Sequence, residues 1–386
     1  MSEELATGDE FAEIHDELRA VARDLLGKAG RETAIDWSLI ARSGWLGLEA
    51  PAEFDGADAT FAEVAVLLRE IGRAAAYGPY PAVAALGLGT LGLLSPNPGR
   101  DTLFRDAVAG LSTPILVLAG EWASSSATDT ASAPEFRLVD GDGGLRLYGN
   151  ADFVLDAPAA DRLLIPATMP DGTIVVAAVM VAAVEPAAIV TEQPVVDDTR
   201  VFGRVAVDGM PITPESVWHF SGDGAHALRR LHDRAAVALA CDSLGLSEAM
   251  LDATVDYVRV REQFGRPVGS FQAVKHACAD MLVQVTVARR LVAAAVRAHV
   301  ADAPDASAAA SMAKAFTGAA GVEVAGKAMQ LHGGIGYTWE SGIHQYLKRA
   351  TLNRSLFGSP AEHRKVLARR YIPASERKTT TSPRRP

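Results

Sequence analysis

Apolar residues recur at three- and four-residue steps through the first third of the chain, the period of helices with one buried face. Phe11, Ile14, Leu18, Val21 and Leu25 make one such stripe, with Glu, Asp and Arg between, and predict a first helix with that stripe as its core face. Thr60 with Glu63 three residues on is a capping box, and Phe61, Val64, Leu67, Leu68 and Ile71 follow it as a second helix. Gly72 and the Gly78-Pro79 pair are expected to close that helix, and helical sequence continues over 81–94 and 102–111. Around Thr113 the texture changes. Short β-branched stretches at 114–118, 136–139, 145–147, 162–166, 174–184 and 200–207 are split by turn residues such as Asp140-Gly141 and Asp171-Gly172. No helices intervene, which excludes a doubly wound parallel sheet. Long Ala/Leu/Val-rich helices then fill 227–261, 271–299 and 307–331, as in an antiparallel bundle, and a last one starts at Ser359-Pro360 with Glu362 at N3.

The predicted fold class is therefore α+β: an N-terminal helical domain (1–112), a central β-barrel or sandwich domain (113–222), and a C-terminal four-helix bundle (223–374). Residues 375–386 are Ser, Thr, Pro and basic residues without apolar anchors, the composition of a disordered tail. The length of 386 residues fits two to three domains. A net charge of -10 excludes a dominant basic face, and with it nucleic acid as partner. Cys241 and Cys278 match no metal or redox spacing, so buried thiols, no metal and a reducing cytoplasmic location are expected. The N-terminus lacks a signal-peptide layout, and the longest apolar run, 174–184, is short of the ~20 residues of a membrane helix.

Gly87, Gly89 and Gly92 match G-x-G-x-x-G, but no strand precedes them, so close helix packing is the expected reason for the glycines. His276 and His332 are expected to be structural. Two segments carry chemistry. The first, Arg259 to Pro267 running into Phe271-Gln272, sets a cation, amides and aromatics at an inter-helix corner, able to hold a phosphate and a flat ring; its plain alternative is a solvated helix end with a Gly C-cap. The second, Met329 to Glu340, places Gly333, Gly334 and Gly336 at a helix end, then Tyr337, Trp339 and Glu340. Glycines let backbone approach a ligand, and a carboxylate buried beside a ring would have a raised pKa suited to a general base; Schellman glycines with a surface Glu are the alternative.

Taken in order, these segments resemble the acyl-CoA dehydrogenase family over nearly the whole chain before the tail. Arg261-Glu262-Gln263-Phe264-Gly265 and Gly333-Gly334-Ile335-Gly336-Tyr337-Thr338-Trp339-Glu340 are the most specific matches, supported by Ser43 to Gly56, Leu68 to Arg73 and Gly149 to Val154. The resemblance implies an enzyme using FAD to convert an acyl-CoA to a trans-2-enoyl-CoA and passing electrons to an electron-transfer flavoprotein. It implies FAD contacts across a dimer from Arg261, Gln263, Phe264, Phe271, Gln272, Gln330 and Gly334. Phe153 would lie beside the isoalloxazine, and Glu340 would be the catalytic base.

Departures matter too. The family's Thr-Glu-Pro then Gly-Ser-Asp stretch reads Ala119 to Ser126 here, Leu155 stands where a Thr or Ser often bonds the flavin, and the Tyr-Glu-Gly-Thr segment reads Leu356-Phe357-Gly358-Ser359. Ala235 occupies the position of the base in other branches; Asp242, two turns on, is a weak alternative. These departures, with Trp339-Glu340 and His344 to Ala350, resemble the steroid-degrading members built from two unlike chains. The expected assembly is a homo- or hetero-oligomer, dimer or tetramer. The alternatives to a catalytic chain are a non-catalytic subunit completing FAD in a partner, and an oxygen-using relative.

Overall fold

The computed structural model describes residues 3–28, 35–120, 134–141, 144–181 and 189–370. The expected tail and positions 121–126 lie outside them.

The N-terminal part comprises α1 (Glu3–Lys28), α2 (Trp37–Arg42), α3 (Phe61–Ala74), a π-helical segment Pro81–Leu88 continued by Gly89–Leu91, and α4 (Pro98–Val108). The Thr60 hydroxyl accepts from the Ala62 N–H at 3.1 Å and Glu63 accepts from the Thr60 N–H at 2.8 Å, so the capping box is present. The expected core stripe of α1 is rotated. Ile14 and Val21 are 47% and 49% exposed, whereas Ala22 and Leu26 are buried. The reason is electrostatic: α3 offers the buried carboxylates Glu63 and Glu70, and α1 meets them with His15 and Arg23, each at 2.8 Å. Apolarity alone cannot register such a contact.

Helix α3 ends at the left-handed Ala75 (φ 48°) rather than at Gly72. Gly72 instead lies inside the helix, where a Cβ would run into the backbone of Asp242. Gly87 and Gly89 serve similarly: a Cβ on Gly87 would strike the Pro114 carbonyl, and one on Gly89 would lie 2.6 Å from Arg234 Nε. Close packing accounts for that glycine pattern, as expected.

The central sheet has strands β1 (Pro114–Leu116), β2 (Phe136–Gly141), β3 (Gly144–Leu155), β4 (Arg162–Thr168), β5 (Ile174–Met180), β6 (Val190–Gln193), β7 (Phe202–Ile212) and β8 (Val217–His219). Their order is β6-β7-β3-β2-β4-β5-β8, with β1 beside β4, and pairing is antiparallel except at β1–β4 and β2–β4. Strand β3 runs much further than the expected 145–147, because its second half is held by register with β7 rather than by β-branched residues of its own. Strands β6 and β8 have no counterpart among the expected strands; both are short, and β6 is polar at the sheet edge.

The C-terminal part comprises α5 (Gly224–Val260), α6 (Gln272–Val300), α7 (Ala306–His332), α8 (Ile343–Ser355) and α9 (Pro360–Arg369). The Ser359 cap is present, with its N–H donating to Glu362 at 2.7 Å. Helix α8 has no apolar stripe to announce it, since it turns Arg349 and Asn353 inward. Among the described residues no helix is long and apolar enough to cross a membrane.

Candidate functional site

Strand β3 bulges between Ala151 and Val154, which sets Phe153 at φ 54°. The Phe153 N–H released by the bulge donates to Gln193 Oε1 at 2.6 Å, and Gln193 in turn donates to Asp152 at 3.0 Å. Gly120 knits this bulge to the end of α8: its N–H donates to the Asp152 carbonyl at 3.2 Å, and its carbonyl accepts from the Phe357 N–H at 2.8 Å. A Cβ there would lie 2.6 Å from the Phe153 carbonyl oxygen and 2.8 Å from Leu356 Cδ2, so only glycine fits. Behind the loop, Lys314 Nζ donates to the carbonyls of Asn353 (2.9 Å) and Gly358 (2.8 Å), and His363 donates to that of Phe357 at 2.9 Å. Burial pushes the Lys314 ammonium down to about 7 and the His363 imidazole down to about 4. Of the segments that depart from the family pattern, Gly120, the bulge ahead of Leu155 and the loop Leu356–Phe357 thus meet at one place.

A second group forms at the ends of α5 and α7. The His332 ring stacks on Tyr257 at 4.4 Å and its Nδ1 lies 2.8 Å from the Ala328 carbonyl, so it is structural as expected. The Tyr257 hydroxyl donates to the His332 carbonyl at 3.3 Å, which ties the glycine loop to the last turn before Arg261. Beyond α5, Glu262–Gln263 and Arg266–Pro267 pair as a hairpin whose tip is Phe264 (φ 54°) and Gly265 (φ 75°). The Gly C-cap alternative is therefore corrected, since Gly265 turns a hairpin rather than ending a helix. Phe264 is 92% exposed, Phe271 is half-buried with the Arg266 guanidinium 4.1 Å from its ring, and Arg261, Gln263 and Gln272 are exposed. Gln330 and Gly334 are exposed too, and nothing lies within 4 Å of where a Gly334 Cβ would be. The expected FAD residues therefore fall into two groups: these seven at the bundle end, and Phe153 in the cradle.

Glu340 lies in the second of two short 3-10 turns, Gly333–Tyr337, which contains the glycines, and Trp339–Ser341. Trp339 is 75% exposed and sits edge-on to His344 at 4.4 Å, with Lys348 Nζ 5.4 Å from its ring centroid. Glu340 is exposed, and its own backbone N–H and the Thr338 hydroxyl hold its carboxyl below the usual range. The expectation of a buried carboxyl with a raised pKa is thus corrected. The aromatics meant to wall it, Tyr337 and Trp339, turn outward, so the described residues leave it in solvent.

Sequence reasoning missed the buried charge cluster. Arg349 donates to Asp242, to the Ala76 carbonyl (2.9 Å) and to the Thr199 hydroxyl (3.0 Å). Asn353 donates to Asp242 at 2.6 Å, and Arg200 Nη2 lies 2.8 Å from Asp242 Oδ1. Burial would raise the Asp242 pKa, but Arg349 and Arg200 outweigh it and hold the carboxyl far below its ordinary value. A carboxylate locked in this way cannot serve as a base, which removes Asp242 as an alternative. Beside the cluster a small buried void, with room for about one water, lies between the three parts of the chain, apolar along Leu68, Leu86, Leu155, Ala238 and Leu239 and polar at Arg200 and Asp242. Phe357 joins this void to the Gly120–Phe153 cradle, and Ala235 lines its wall. Cys241 is buried and its thiol is pushed up to about 12 by burial, a core residue as expected.

Helices, a largely antiparallel sheet and a helical bundle, with a small buried void at their junction, define the three-part class to which this molecule belongs. Residues 5–94 match the acyl-CoA dehydrogenase N-terminal domain and residues 222–372 match the C-terminal domain of the same enzymes, and the chain belongs to the acyl-CoA dehydrogenase family. It is 31% identical over 314 residues to the acyl-CoA dehydrogenase FadE34 of Mycobacterium tuberculosis, covering 81% of this chain and 38% of that protein. It is 43% identical over 132 residues to the acyl-CoA dehydrogenase IpdE2 of Mycolicibacterium smegmatis, covering 34% of this chain and 40% of the relative. The matches thus span about two fifths of the curated relatives' length. A solved structure described as a variant of the Tcur3481-Tcur3483 steroid ACAD superposes with a TM-score of 0.78 at 27% identity, covering 93% of this chain and 97% of the other.

Proposed function

We propose that this chain is a subunit of an FAD-dependent acyl-CoA dehydrogenase. The observation that carries the reading is the bundle-end group, in which Arg261, Gln263, Phe264, Gln330 and Gly334 stand exposed around the hairpin and the glycine loop. The residues fit the cofactor. The unobstructed Gly334 leaves backbone accessible, Phe153 offers a ring at the bulge, and Arg261, Gln263, Phe264, Phe271, Gln272 and Gln330 present a cation, amides and aromatics suited to a pyrophosphate and a flat ring. When bound, FAD supplies the two-electron acceptor for the hydrogen leaving Cβ of the thioester.

Glu340 takes the Cα proton on a carboxylate oxygen. It is ionised at neutral pH, and covering by the bound thioester raises its basicity by desolvation. Its backbone N–H, now directed at its own carboxyl, is a donor for the thioester oxygen where negative charge develops. Ala235, the place of the base in other branches, lines the buried void without a carboxylate, which leaves the task to Glu340. An electron-transfer flavoprotein then reoxidises the complex.

The assembly proposed is an oligomer in which the bundle-end group of one chain completes the cofactor site of another, and the two joined names of the solved relative favour an unlike partner. That relative's description also favours a steroid-derived acyl group. The outward Glu340 and Phe264 favour one second reading, a subunit that completes FAD in its partner without catalysing. The protein, alone and with a co-expressed partner chain, is tested for bound FAD and for acyl-CoA-dependent bleaching. Glu340→Gln should retain FAD and lose bleaching; undiminished bleaching rejects Glu340 as base, and a colourless homo-oligomer that colours only with a partner supports the second reading.

A further inference from the structure

Strand β3 carries one residue more than β7 across its bulge: Ala151 pairs with Val205 and Val154 with Gly203, so three steps on one strand face two on the other. At the bulge stands an aromatic in the left-handed region, Phe153 at φ 54°, where a bulky side chain is disfavoured and glycine or asparagine sits freely. The ring is half-buried, so the core gains only part of what a phenylalanine can bury. The side chain that holds this conformation comes from Gln193, the last residue of the edge strand β6, which reaches past β7 to β3. Gln193 Oε1 accepts the Phe153 N–H at 2.6 Å, its Nε2 donates to Asp152 Oδ1 at 3.0 Å, and Arg204 Nε stands 3.6 Å from that same oxygen. A neutral amide is what this arrangement needs, an acceptor towards the backbone and a donor towards a carboxylate at once.

We propose that Gln193 is a positioning residue that locks the bulge and through it aims the Phe153 ring for stacking on the flat ring system of bound FAD. A bulge re-aims the side chain at its centre, and a slip of one residue turns that side chain to the opposite face of the sheet. Gln193 opposes the slip, because the Phe153 N–H is engaged by a side chain and is not free to rejoin the ladder with β7. Gly120 grips the bulge from its other side through the Asp152 carbonyl, at 3.2 Å. The ring is thereby presented in one orientation before a ligand arrives, which lowers the ordering cost of binding.

This deepens the FAD reading and rests on it, and two readouts separate their failures. Amide hydrogen exchange on the cofactor-free protein reads the lock itself: in Gln193→Ala the Phe153 amide should exchange about 10-fold faster, with the amides of the β4–β5 pair unchanged. The visible absorption band and the FAD dissociation rate of the assembled complex read the ring. Phe153→Leu should shift the band and release FAD roughly 3- to 10-fold faster, and Gln193→Ala should do the same. Gln193→Glu keeps the acceptor but sets two carboxylates face to face, and should behave like Gln193→Ala. Adding Asp152→Asn restores a donor between them and should return band and rate towards the unaltered values, a rescue that a general loss of stability does not give. Unchanged exchange in Gln193→Ala overturns the lock, and a band that moves in Phe153→Leu but not in Gln193→Ala overturns the positioning role alone. A flavin indifferent to Phe153→Leu overturns the ring contact, and a complex that binds no FAD overturns the FAD reading as well. Should Gln193→Ala fail to fold, Gln193→Glu with and without Asp152→Asn decides by the same band and rate.

Discussion

Arg349 holds Asp242 in a two-pronged grip, Nε to Oδ2 at 3.0 Å and Nη2 to Oδ1 at 2.5 Å, although 107 residues separate them. Both are fully enclosed, and the pair joins α5 to α8 where the N-terminal helices and the sheet also arrive through Ala76 and Thr199. Every part of the fold is tied to this one knot.

Removing one partner leaves the other charge buried and unmatched. Asp242→Asn or Arg349→Met should each lower stability by about 3–5 kcal/mol, read as a shifted denaturant midpoint. The double variant should be less destabilised than the two losses summed, because neither charge is then stranded.

Glu63 gives the chain an acid-sensitive point. Burial alone would raise its pKa, but His15 and the Thr60 cap outweigh burial and hold it at about 2. An acid whose folded pKa lies below its ordinary 4.5 stabilises the fold fully above that value and loses the contribution as pH falls from there toward about 2. The stability of Glu63→Gln, followed by thermal melting against pH, should therefore change less across that interval than that of the unaltered chain.

The first and last thirds were legible in their outlines because helix caps and period are local. Thr60-Glu63 and Ser359-Glu362 need only each other to be recognised. The face of α1 and the whole of α8 were not, because α1 is oriented by the pairing of His15 and Arg23 with buried carboxylates of α3, and α8 turns Arg349 and Asn353 inward, contacts decided by distant partners. The same holds for the charge cluster. Arg200, Asp242 and Arg349 come from three separate segments that only the fold brings together. Motif resemblance found the glycine loop and the hairpin, yet could not foresee that Glu340 faces outward.

The Phe264 tip offers a clean separation of folding from assembly. Its left-handed backbone ahead of Gly265 suits asparagine, so Phe264→Asn should leave the unfolding free energy of the separated chain unchanged within about 0.5 kcal/mol. Sedimentation and FAD content measured on the same sample should show weaker association and less retained cofactor.

Gly245 faces α3 so closely that a Cβ would strike the Arg69 carbonyl. Gly245→Ala should cost roughly 1–3 kcal/mol by forcing the helices apart. The same substitution at the solvent-facing Gly326, with nothing within 4 Å, should be neutral or slightly stabilising; urea titration of both distinguishes contact from propensity.

Gly72 and Gly245 together bring α3 and α5 into main-chain contact. Leu68 and Ala238, which both line the buried void, belong to those same two helices. The spacing of the two helices there is consequently gauged by peptide groups, which no rotamer change can widen. Exchanges at positions 68, 235, 238 and 239 therefore alter how the void is filled while the frame around it stays still.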